Sequence, residues 1–192
     1  MRYDAVMADP HHEEPLDGLD RLTVRLYRTG LSASALGLCS LAAALVSGRT
    51  DVAAVAEWTV VAGVAVSVSC MHLYDKRIRW VIGSSAWVGA LLLVAAGTRP
   101  DVWAWWVHHA GLGFVFVSLS AFALKEQFCF RIPLLRGVPA FLALSLVPML
   151  AGAALPAAVL LGLAGLVTGR LAWAKSRMPL HFDIGDKSAY QV

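Results

Sequence analysis

Five long stretches of this chain carry no acidic or basic side chain apart from histidine: Thr29–Gly48, Trp58–Tyr74, Trp80–Thr98, Val102–Leu124 and Gly137–Gly169. A helix needs about 20 apolar residues to cross a ~30 Å hydrocarbon core. Inside lipid every backbone N–H and C=O must be satisfied within the protein, so only helices or a closed barrel can cross. The runs lack the period-two alternation of barrel strands. They are therefore read as helices. The last run is 33 residues long, about 50 Å as one helix at 1.5 Å per residue. That is too long for one crossing, and Ala151–Pro156 offers a break near its middle. Proline is accommodated in the first turn of a helix, so a sixth helix is expected to start at Pro156. The expected spans are about 29–48, 55–74, 80–98, 102–124, 137–154 and 156–173.

Composition agrees with this reading. Apolar residues make up 58% of the chain and charged residues 15%, where soluble proteins average about 45–50% apolar and about 25% charged. Positive charge supplies a separate test of the span count, because lysine and arginine concentrate on the cytoplasmic side. With six spans, one side holds 14 of the 16: Arg2, Arg21, Arg25 and Arg28, then Lys76, Arg77 and Arg79, then Lys125, Arg131 and Arg136, then Arg170, Lys175, Arg177 and Lys187. The other side holds Arg49 and Arg99. Five spans would weaken the asymmetry to 10 against 6. Trp103, Trp105 and Trp106 at one interface, and Tyr74, Trp80 and Trp173 at the other, form aromatic belts.

The sequence thus predicts an all-α polytopic transmembrane bundle of six helices in the inner membrane, with both termini cytoplasmic. Residues 1–20 are expected to be a flexible polar segment, 21–176 the membrane domain and 177–192 a cytoplasmic tail. Residues 1–28, with His11, His12, Glu13, Glu14, Asp17 and Asp20, lack the early apolar core of a signal peptide. Leu16–Tyr27 reads either as a short amphipathic interfacial helix or as an extension of the first span. Gly162, Gly165 and Gly169, and Gly63, Ser67 and Ser69, supply small surfaces for close helix contact, expected within the chain. The three cysteines, Cys39, Cys70 and Cys129, are widely spaced and form no CxxC pair, so they are read as free thiols.

Each even-numbered helix ends in a polar block on the same expected side. From these blocks come the candidate ligand-binding residues: His72, Asp75 and Lys76; Lys125, Glu126, Cys129 and Arg131; His181, Asp183, Asp186 and Lys187. Imidazole and thiolate suit zinc or copper and carboxylates suit magnesium or manganese, but no spacing selects a metal. His72 and Asp75, like Glu126 and Cys129, are three residues apart, which places each pair on one helix face if the helices extend that far. The competing reading is that these groups fix topology and pair with one another at the headgroup level. His108 and His109 lie inside the fourth span, about 100° apart on the helix, which disfavours joint ligation of one metal. An interfacial histidine bonded to a nearby carbonyl is the expected role. Glu57 lies near the outer end of the second span and marks a conceivable transport path. No dense basic tract argues for nucleic acid. No GxSxG, HExxH, P-loop or GxGxxG motif assigns a catalytic residue, and neither cofactor nor metal is specified. Two functional classes remain. One is a non-catalytic assembly, scaffold or ligand-binding factor that contacts membrane lipids and docks a protein partner at its cytoplasmic face. The other is a small transporter or metal-handling protein.

The blocks His72-Leu73-Tyr74-Asp75-Lys76, Lys125-Glu126-Gln127-Phe128-Cys129-Phe130-Arg131 and Met178-Pro179-Leu180-His181-Phe182-Asp183-Ile184-Gly185-Asp186-Lys187 resemble those of a bacterial family of uncharacterised integral membrane proteins, a domain of unknown function also found in cyanobacteria. The likeness runs from about Leu22 to the C-terminus, and residues 1–20 look particular to this chain. It implies the membrane architecture and carries no mechanism.

Overall fold

The computed structural model describes residues 15–98, 101–185, 187 and 190. Among them the only regular structure is helical: α1 (Gly18–Ser47), α2 (Thr50–Ser69), α3 (Lys76–Gly97), α4 (Val102–Glu126), α5 (Val138–Leu150), α6 (Ala154–Ser176) and the single turn α7 (His181–Ile184), with a 3-10 turn at Leu135–Gly137 before α5. Five of these, α1 to α4 and α6, are long and apolar enough to cross a membrane.

The expected fifth span is corrected in length. Its helix, α5, has only 13 residues, about 20 Å, against a ~30 Å core. Pro148 lies inside it, and Gly152 takes φ 69° just beyond, where a left-handed residue turns the chain. Ala154 then opens α6, with Pro156 in its first turn, as the sequence suggested. Two other boundaries also shift. Leu16–Tyr27 forms no separate interfacial helix, because α1 already starts at Gly18. There Asp17 and Asp20 satisfy each other's backbone N–H groups in a capping box. At its other end, α2 stops at Ser69 rather than continuing to Tyr74.

Neighbouring helices pack in chain order, and α6 closes the ring against α1. Small residues let the backbones approach. Any Cβ at Gly63 would lie 2.6 Å from the Gly30 carbonyl oxygen and 2.7 Å from the Ser34 nitrogen, so α1 and α2 meet backbone to backbone. Gly165 sits against Cys39, Gly169 against Ala35 and Gly162 against Ala42. The glycine stripe of α6 is thus spent on α1, within the chain. Hydroxyls stitch the same seams: Ser67 donates to the Tyr27 carbonyl at 3.2 Å and Ser118 to the Ile82 carbonyl at 2.8 Å.

The packing brings the start of α1, the end of α4 and the end of α6 to one end of the bundle, where Tyr27, Glu126 and Lys175 touch. At the other end Leu45, His109, Met149 and Ala157 line a shared groove of about 190 Å³. Short as it is, α5 therefore carries the chain from the first end toward the second. Lys187 bonds the Pro15 carbonyl at 3.2 Å, so both ends of the described chain lie at the first end.

Candidate functional site

The polar end is organised around five side chains that sit where water is scarce. Tyr27 lies on the α1 face that also carries Val24, Leu31 and Ser34, and this spacing buries it. Its hydroxyl donates to Glu126 Oε1 at 2.8 Å, and its ring meets Phe122 edge-on at 5.8 Å. Glu126, the last residue of α4, is 2% exposed. Its other oxygen accepts from Lys175 Nζ at 2.8 Å. Lys175 is 4% exposed and points inward with Thr168, Leu171 and Ala172. Its ammonium also pairs with Asp183 Oδ1, as an ion contact without hydrogen-bond alignment. Asp183 in α7 completes the chain through Arg28, whose Nε donates to Oδ2 at 2.7 Å and whose Nη2 reaches the same oxygen.

Arg28 does more than neutralise Asp183. Nη1 donates to the Met178 carbonyl at 2.8 Å and Nη2 to the Pro179 carbonyl at 2.9 Å. A guanidinium at the start of α1 thereby fixes the chain reversal between α6 and α7. The five groups form one path, Tyr27–Glu126–Lys175–Asp183–Arg28, with two carboxylates opposite two cations. A buried ion costs several kcal/mol in desolvation unless it is paired and hydrogen-bonded. Tyr27, Glu126, Lys175 and Asp183 are buried and Arg28 half-buried at the rim, and together they clasp the C-terminal segment across α1, α4 and α6.

A second layer surrounds the clasp. Tyr190 donates its hydroxyl to the Ile184 carbonyl at 2.7 Å and lies against Tyr74 and His72, with ring centroids 5.0 and 6.3 Å away. Lys187 reaches Asp20 at 2.5 Å. Gly185 is required at this point by its backbone. Its φ of 66° and ψ of −149° are open essentially to glycine alone, and a Cβ would lie 1.9 Å from the Tyr74 hydroxyl. Gly185→Ala is expected to destabilise the docked tail by about 1–3 kcal/mol. Limited proteolysis should show faster cleavage near residue 185, with helical content unchanged.

His72 stands half-buried, with Nε2 3.4 Å from the Thr23 hydroxyl. Burial, and after it the Lys125 charge, holds its imidazole below the ordinary histidine range. The unfolded chain therefore binds the His72 proton more readily than the folded one. Stability from this group is present above the ordinary value near 6.5 and falls as pH drops below it. Thermal unfolding followed from pH 8 to pH 5 should show wild-type protein losing more stability than His72→Gln. Parallel curves would remove His72 as the cause.

The remaining expected residues are placed as follows. Asp75 caps α3, accepting from the Arg77 and Ile78 nitrogens at 2.8 and 3.0 Å, and Lys76 is the exposed first residue of that helix. Because α2 ends at Ser69, His72 and Asp75 do not share a helix face. Lys125 is half-buried, with Nζ 3.5 Å from Glu126 Oε1. Cys129 and Arg131 are exposed beyond the end of α4, so Glu126 and Cys129 diverge, one buried and one outward. His181 opens α7 with its ring 4.5 Å from Phe182. Asp186, like Arg2 and Arg99, lies outside the described residues. Among the described residues, no three His, Cys, Asp or Glu side chains form a group that could hold a metal ion. The clasp carboxylates are neutralised by Lys175 and Arg28 instead.

Tyr27, Arg28, Lys175 and Tyr190 were not among the sequence-derived candidates. Helical phase is the signal that finds Lys175, which lies three, four and seven residues after Ala172, Leu171 and Thr168 on the small, inward face of α6. At the opposite end, His108 Nε2 lies 3.2 Å from Glu57 Oε2, joining α4 to α2. His109 takes the carbonyl role, its Nδ1 lying 2.8 Å from the Trp105 oxygen.

Residues 64–192 match the family described as uncharacterized integral membrane protein (DUF2301), a stretch that includes all three polar blocks. The chain belongs to this family. A relative from Haemophilus influenzae (strain ATCC 51907 / DSM 11121 / KW20 / Rd), described as an uncharacterized protein, is 34% identical over 186 residues, 97% of this chain and 100% of the relative. That alignment reaches into residues 1–20, which are therefore not wholly particular to this chain. No solved structure matches the chain. The family and the apolar helices together make it an integral membrane protein in contact with lipid.

Proposed function

We propose that this family member is a non-catalytic assembly or scaffold factor of the inner membrane, crossing six times with both termini in the cytoplasm. On this reading its polar end docks a protein partner or small ligand. The clasp is the observation that carries the proposal. Its carboxylates and cations are spent on one another and on fixing the tail, which suits a rigid platform better than a reacting centre. Around it, Phe128, Cys129, Arg131 and Phe182 face outward and are available to a partner. The side assignment rests on the 14-to-2 division of positive residues. Six crossings follow if α5, at about 26 Å with its leading 3-10 turn, spans a locally thinned bilayer.

A photoreactive phenylalanine analogue at Phe128 or Phe182, activated in cells, should give a discrete protein adduct. The same probe at exposed Val88 in α3 should give only lipid adducts. Indistinguishable patterns at the two places would contradict the proposal. A second reading, a small transporter or metal-handling protein, draws on the Glu57–His108 pair within the helices. Elemental analysis of the purified chain separates the two. One equivalent of metal, lost in Glu57→Ala and in His108→Ala, would select the second reading.

A further inference from the structure

We infer that one face of α6 is a binding site for the headgroup phosphodiester of an anionic phospholipid, built from Arg170, Trp173 and Arg177. The three residues are spaced three and four apart, so they share a helix face. The guanidinium carbons of Arg170 and Arg177 lie 4.5 and 4.0 Å from the Trp173 ring centroid. Two cations are thus gathered on one indole at the end of a membrane-spanning helix. A guanidinium lying on an aromatic ring keeps its N–H edges for other acceptors, and phosphate oxygens match that fork.

What sets these arginines apart from other cations at this end is the shared indole. Arg28 and Lys175 are committed to Asp183 and Glu126, and Lys187 to Asp20. Among the described residues, neither Arg170 nor Arg177 is paired with a carboxylate, and both are exposed. Arg177 is also positioned by the clasp, since Arg28 holds the carbonyls of the two residues that follow it.

The same face identifies the source of the phosphate. Toward the membrane interior it continues through Leu166 and Val159, 67% and 54% exposed. The stripe Val159, Leu166, Arg170, Trp173, Arg177 is apolar at one end and doubly cationic at the other, as a lipid is apolar and anionic. Val159 and Arg170 are separated by about 16 Å along the helix axis, close to the ~15 Å of one leaflet's hydrocarbon. Free phosphate would have no use for the apolar half. Basic sites at the cytoplasmic ends of membrane helices, with roughly fivefold in affinity per cation, have the required chemistry.

The test uses the full-length chain in nanodiscs of phosphatidylcholine and phosphatidylglycerol at 3:1, released into native mass spectrometry to count retained lipids. Wild-type protein should keep phosphatidylglycerol in preference to phosphatidylcholine. Arg170→Gln/Arg177→Gln should lose that preference by about thirtyfold, and Arg170→Lys/Arg177→Lys should lose part of it, keeping charge without the fork. Equal melting temperatures in pure phosphatidylcholine nanodiscs show that a variant is folded. If the glutamine variant misfolds, the wild-type preference should still collapse at high salt. An unchanged preference in the folded glutamine variant, no wild-type preference, or full competition by millimolar inorganic phosphate would each overturn the inference.

Discussion

Lys175→Met is expected to destabilise the protein by about 3–5 kcal/mol, because it leaves Glu126 and Asp183 buried without the cation they share. Methionine keeps most of the side-chain volume, so the loss reports charge rather than a cavity. Asp183 then keeps only Arg28, and Glu126 only the Tyr27 hydroxyl and the more distant Lys125, so Glu126 must take up a proton, draw Lys125 inward or admit water, and each response loosens the tail. Unfolding in mixed detergent micelles measures the change. Replacing the interacting set with apolar residues of similar volume should cost far less than Lys175→Met alone, since no orphaned charge is then left. A loss below about 1 kcal/mol, the range of an exposed pair, would mean that water reaches the network.

The second large effect is expected at the seam between α1 and α2. Gly63→Val should cost about 3 kcal/mol or more, at or above the upper end of ordinary overpacking. A Cβ there meets the Ser34 hydroxyl, which can rotate away, but also the Gly30 carbonyl oxygen and the Ser34 backbone nitrogen, which cannot. The two helices must therefore separate. The contrasting substitution is Gly83→Ala in α3, where nothing lies within 4 Å of the added carbon. It should be neutral or stabilise by up to about 1 kcal/mol through helix propensity. Melting temperatures of the two variants in one detergent test both expectations. Similar values would contradict the close approach of α1 and α2.

The helices were largely legible in the sequence because lipid tolerates few alternatives to a long uncharged helix. The exceptions have physical causes. Hydropathy ignores the charged first turns of α1, where Asp17 and Asp20 cap a helix that starts well before the apolar run. It also overestimated α5, whose end is set by the Pro148–Gly152 turn rather than by polarity. For the candidate site, the polar blocks pointed to Glu126 and Asp183, which do converge, and to His72 beside them. Arg28 and Lys175 enter the sequence reading only as topology charges. A tally by side of the membrane discards helical phase, and phase is what turns Lys175 inward and Arg170 outward on the same helix. Asp75 shares no helix face with His72, because α2 does not extend past Ser69. Its carboxylate is used by the first turn of α3.

Arg28 and Asp183, as a coupled pair, hold the C-terminal segment onto the bundle. A double-mutant cycle on unfolding free energy, using Arg28→Met, Asp183→Leu and the two together, tests this directly. A coupling of about 2–3 kcal/mol is predicted, as for side chains sharing one buried network. Strictly additive losses would contradict the clasp.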